Sequence, residues 1–160
     1  TVIRPFIPRE AMTALERKVL GEIFEQEIVG DDIYFSASHG PGDIVTIEVV
    51  TLDGLIAEDE GIASSLADFA REALAGIDAD DVTIDLDLSV ISFEGIFQDI
   101  VKRSALDYVE VEAAWTCSRM RPDGFGGSAT LITADDIQSV STSGWLEREI
   151  ARLSGIDVPD

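Results

Sequence analysis

Apolar residues recur along this chain at two different periods, and the two periods divide it into helices and strands. Met12, Leu15, Val19, Leu20, Ile23 and Phe24 fall at helical spacing behind Pro8-Arg9-Glu10. That spacing predicts an amphipathic helix reaching about residue 28. Pro8 suits the first turn, where a missing N–H is harmless, and Gly30 is the expected stop. Ile33-Tyr34-Phe35 and residues 44–51 are rich in β-formers on either side of Gly40-Pro41-Gly42-Asp43, which predicts a hairpin. Residues 58–61 form a turn. A second helix follows, with Ile62, Leu66, Phe69, Ala70, Ala73 and Leu74 on one face and Gly76 as terminator.

The strongest alternation lies in residues 81–90. Val82, Ile84, Leu86, Leu88 and Val90 alternate with Asp81, Thr83, Asp85, Asp87 and Ser89, so one face is core and the other solvated. Residues 93–103 carry Phe93, Ile96, Phe97 and Ile100 at helical spacing. Alternation resumes over 108–117, with Val109, Val111, Ala113, Trp115 and Cys117 opposed to Tyr108, Glu110, Glu112, Ala114 and Thr116. A loop over 119–127, a strand over 128–133 and a helix over 145–153 complete the reading. Thr133 and Asp136 fit a capping pair before a short helix at 134–140. Strands in neighbouring pairs mixed with helices predict an α+β fold, a mainly antiparallel sheet with helices packed on one face. At this length, residues 1–160 are expected to form a single domain.

Composition narrows the function. The hydrophobic fraction of 46% and mean hydropathy of +0.17 supply a core, so wholesale disorder is excluded. Charge is the unusual feature: 32 Asp+Glu stand against 11 Lys+Arg, a formal charge of −21. By segment, residues 1–18 carry +2, residues 19–101 carry −19 and residues 102–160 carry −4. A polyanion of this kind repels phosphate, so direct nucleic-acid binding is not expected. No apolar run is long enough for a membrane span, and TVIRPFIPRE lacks a signal-peptide core. A single cysteine, Cys117, suits a reducing compartment, and a cytoplasmic location is expected.

Candidate chemistry is sparse. Asp78-Ala79-Asp80-Asp81-Val82-Thr83 opens like a calcium loop, but Thr83 stands where the sharp turn needs Gly. His39, near Asp43, has no nucleophile beside it and reads as a turn histidine. Cys117 falls on the expected apolar face, and one His with one Cys is too few for zinc. No cofactor, no metal site and no catalytic residue is therefore expected.

Asp85 and Asp87, with Asp81 on the same parity, are spaced about 6.6 Å per two residues along a strand face. A row of carboxylates at that spacing imitates a row of phosphates. Glu110 and Glu112 extend the row if their strand is a neighbour, and Asp68 and Glu72, one helical turn apart, supply a second row. The plainer reading is a solvated sheet face that keeps the protein soluble. Arg121 and Phe125, in Arg119-Met120-Arg121-Pro122-Asp123-Gly124-Phe125-Gly126-Gly127, are of the residue types that anchor interfaces.

A small, strongly acidic, cytosolic chain without catalytic motifs resembles the DNA-mimic anti-defence proteins of phages and plasmids, among them anti-restriction and anti-CRISPR inhibitors. The resemblance is one of composition and charge pattern, strongest over residues 19–101. It implies a non-enzymatic inhibitor that fills the basic groove of a nucleic-acid-binding protein or complex. Two other classes compete. One is a small enzyme using Glu110 or Glu112 with Arg119 and Arg121, because paired carboxylates divide acid and base roles. The other is a solubility-adapted, halophile-like structural subunit that binds through apolar groups such as Trp145. Oligomeric state is not legible in the sequence.

Overall fold

Nine strands and five helices are present in a computed structural model that describes residues 1–78, 80–119, 121 and 124–155. The fold is α+β with a mainly antiparallel sheet. Its seven-stranded sheet runs from β4 (Asp32–Ser36) through β1 (Val2–Arg4), β7 (Tyr108–Thr116) and β8 (Phe125–Thr133) to β9 (Ile137–Ser141). β3 (Glu25–Val29) lines the other side of β4, and β2 (Ile7–Pro8) continues the line of β1 against β4. A separate ribbon pairs β5 (Ile44–Glu48) with β6 (Thr83–Asp87).

One face of the large sheet is buried by helices. Val109 of β7 lies across from Ile132 of β8, and Val111 across from Thr130, and all four are buried. α4 (Phe93–Arg103) packs against β7 and β8 and brings Phe93 and Phe97 into an aromatic cluster with Phe24 and Phe35. α1 (Ala14–Ile23), α2 (Val49–Glu58) and α3 (Ser65–Ala75) complete the layer. Val45 and Ile47 of β5 and Ile84 and Leu86 of β6 turn into the same core.

The helix ends in this layer are tied together by polar side chains. Thr13 caps α1 in a reciprocal box with Glu16, satisfying N–H groups that a helix start otherwise leaves unpaired. Asp59, just past α2, accepts the N–H groups of Ala14 and Leu15 at 2.9 and 3.0 Å. Asp99 of α4 accepts the N–H of Ser65 at the start of α3 at 2.7 Å. Each carboxylate sits where a helix N-terminus favours negative charge.

Several sequence expectations are corrected by pairing. The first helix stops at Ile23, and residues 25–29 form β3 because their backbone pairs with β4. Gly30, with φ +65, makes the turn between those strands. The hairpin around Gly40-Pro41-Gly42-Asp43 does not form: β4 and β5 belong to different sheets. Residues 49–51 begin α2 instead of ending a strand. The helix expected at 134–140 is replaced by β9. There Thr133 and Asp136 bond reciprocally across a tight turn between β8 and β9.

Candidate acidic interaction surface

Burial of Ile84 and Leu86 forces Asp85 and Asp87 outward, since successive side chains of a strand point to opposite faces. The same rule on β5 buries Val45 and Ile47 and exposes Ile44, Thr46 and Glu48. In register, Asp87 lies opposite Ile44, Asp85 opposite Thr46 and Thr83 opposite Glu48. The solvent face of this ribbon therefore presents the carboxylates of Glu48, Asp85 and Asp87 among small polar groups. Thr46 donates its hydroxyl to Asp85 at 2.6 Å. Ser89 donates its backbone N–H to Asp87 at 3.0 Å. The Ser89 hydroxyl, followed by its N–H, holds the Asp87 carboxyl below the usual aspartate range. That carboxylate stays charged as pH falls.

The bases that form ion pairs lie away from this ribbon. Arg4 pairs with Glu110 at 3.6 Å and with Glu112. Arg71 pairs with Asp68 at 2.7 Å, Lys102 with Asp99 at 3.7 Å and Arg152 with Glu149 at 2.8 Å. Lys18 pairs with Glu22 and Arg103 with Glu16. Among the described residues, no ion pair reaches β5 or β6.

The expected site residues are thus divided. Asp85 and Asp87 share the ribbon face. Asp81 precedes β6, exposed in a turn where its carboxylate accepts the N–H of Asp78 at 3.0 Å, so it is not a rung of the strand. Asp68 and Glu72 are exposed on α3, which packs against β6, but Arg71 compensates Asp68. Glu110 and Glu112 do not extend the row: β7 lies in the other sheet, and they face Arg4 on β1. Arg121 is exposed in the β7–β8 connection and Phe125 is exposed at the start of β8, in the other sheet. Ala79 of the calcium-like stretch and Met120, Pro122 and Asp123 of the loop lie outside the described residues. Cys117 is exposed, not on a buried face. His39 is exposed in the turn after β4. Among the described residues, no group of three His, Cys, Asp or Glu side chains is placed to hold a metal ion.

A second surface includes Trp145, the apolar group expected to bind a partner in the structural-subunit reading. Val2, Glu112, Ala114, Ala129 and Val140 lie on the sheet face opposite α4. Together with Trp145 and Leu146 of α5 (Thr142–Leu153) they line an open groove of about 800 Å³. α5 buries no residue fully; Trp145, Leu146, Ile150 and Leu153 are all more than half exposed. The Glu110–Glu112 troughs on the same face are lined by Arg4, Leu131 and Gln138, and Arg119 and Arg121 are not among their described walls.

No protein family matches the sequence, and comparison with curated proteins and with solved structures finds no match. Among the described residues, no helix is long and apolar enough to cross a membrane. Fold and surface together define an α+β protein with an uncompensated acidic ribbon at one place and an apolar groove at another.

Proposed function

We propose that this protein is a non-enzymatic acidic binding module that occupies the basic groove of a nucleic-acid-binding protein or complex in place of DNA. The observation that carries the reading is geometric: Glu48, Asp85 and Asp87 share the solvent face of the β5–β6 ribbon, and among the described residues no base pairs with them. Two carboxylates on one strand face repeat at about 6.6 Å, a spacing that a row of guanidinium and ammonium groups meets as it meets phosphates. Such binding is steered by charge and weakened by salt. In this reading the host is bacterial, the setting cytoplasmic, and the biological role anti-defence.

The test is a low-salt capture from bacterial lysate, followed by titration of the captured complex against salt. Binding that falls steeply with ionic strength, and that Asp85→Asn with Asp87→Asn weakens more than Glu110→Gln with Glu112→Gln, supports the proposal. Affinity unchanged between low and high salt sinks it. The apolar groove beside α5 favours a further contact of different chemistry.

A further inference from the structure

We infer that the β9 edge and α5 form a self-association surface, and that its occupant is a second copy of this chain. The two edges of the large sheet are treated differently. At one edge β3 is Glu25-Gln26-Glu27-Ile28-Val29, exposed at every position and guarded by two carboxylates. At the other, β9 is Ile137-Gln138-Ser139-Val140-Ser141, with no charge, no proline and no lysine. Among the described residues nothing pairs with its outward side. An unguarded edge offers a row of free N–H and C=O groups to another strand, and natural monomers block such edges. Antiparallel pairing about a two-fold axis matches a strand to its own copy without any further complementarity.

Charge selects the occupant. A chain at −21 repels its own copy over most of its surface. From Ile137 to Leu146 there is no charged residue, so β9 and the first turn of α5 are a place where two copies meet without that cost. The carboxylate on the groove wall, Glu112, is paired with Arg4, so the face offers a basic partner no unpaired acid. The surface also carries both a hollow and exposed apolar side chains. It holds a groove walled by Val2, Ala114, Ala129 and Val140, and beside it protruding Ile150 and Leu153, which are 61% and 89% exposed and do not line the groove. A two-fold contact sets one patch against its own copy, so the exposed end of α5 on each copy can meet the groove of the other. The β5–β6 ribbon belongs to a separate sheet, packs against α1, α2 and α3, and contributes no residue to the groove.

The experiment is analytical ultracentrifugation of the full chain across concentration and salt. The expected result is a monomer–dimer equilibrium that salt strengthens, because screening removes repulsion between like-charged copies. This is the opposite sign from the acidic-ribbon binding, so the two readings fail separately. Val140→Glu at the edge, and Leu153→Lys at the exposed end of α5, should each raise the dimer Kd roughly tenfold or more. Leu153→Lys touches no buried group and keeps the fold intact, which circular dichroism checks. A wild-type chain that stays monomeric at every concentration and salt, or a dimer indifferent to both substitutions, overturns the inference.

Discussion

Arg103 Nη2 donates to Glu16 Oε2 at 2.6 Å across 87 positions of sequence, inside the helical layer. Glu16 is fully buried and also accepts the Ser64 hydroxyl at 2.8 Å, while Arg103 bonds the Ala63 carbonyl at 2.6 Å. The pair therefore joins the starts of α1 and α3 to the end of α4. Removing one partner strands the other charge in a site shaped for a pair. Arg103→Ala should cost about 3–5 kcal/mol, read as a lower urea midpoint. Replacing both partners together, Glu16→Gln with Arg103→Met, should cost less than the single change. Equal losses would show that the charge pairing is not what holds the junction.

Asp59 lends α1 a second cap from 45 residues away. Asp59→Ala leaves the N–H groups of Ala14 and Leu15 without their acceptor in a buried site. The expected loss is about 1–2 kcal/mol, a fall in Tm of about 3–6 °C. Asp59→Asn keeps one acceptor oxygen and should recover part of it. A Tm unchanged by the alanine would remove Asp59 from the account of the fold.

Asp87 is held below the usual aspartate range by the Ser89 hydroxyl and N–H, and Glu25 below the glutamate range by the Ser38 hydroxyl and N–H. A depressed native pKa means the unfolded chain binds the proton more readily. The stabilising contribution is complete above the unfolded pKa and is lost as pH falls through the native one. Carboxyl NMR titration of Ser89→Ala and Ser38→Ala should move the Asp87 and Glu25 midpoints upward, part of the way back to ordinary values, since each backbone N–H remains. Midpoints that stay where they were would reject the hydroxyl as the main cause.

Gly126 lies opposite Trp115, and a Cβ at Gly126 meets the indole ring. Gly126→Ala must push the ring aside. Because Trp115 is already 46% exposed, the ring can swing outward and little stability is lost. In a Trp145→Phe background the Trp115 emission should shift to the red with Tm nearly constant. An unshifted spectrum would place the ring elsewhere than over Gly126.

The elements legible in the sequence are those whose period and boundaries are local. α4 spans residues 93–103 as its apolar spacing predicts, between the Ser92 cap and Ser104. Ile84 and Leu86 are buried as their alternation predicts, but Val82 and Val90 are 74% and 69% exposed because the ribbon ends before them. The α1 start was written in the sequence as Thr13-Ala14-Leu15-Glu16, the spacing of a capping box, a stronger signal than Pro8. The apolar groove had no comparable signal, since Val2, Ala114 and Val140 are far apart in sequence and meet only through β-pairing.

Of the candidate site, the sequence by itself determined that the chain is acidic, where along it the acid lies, and that Asp85 and Asp87 face away from Ile84 and Leu86. Side-chain parity on a strand and charge counts are local quantities. Tertiary structure alone decided that residues 25–29 pair as a strand, that β5 joins β6 and not β4, and that Glu110 and Glu112 meet Arg4. Backbone hydrogen bonds carry no residue identity, so which strands pair, and which charges are brought together, is settled only when the whole core closes.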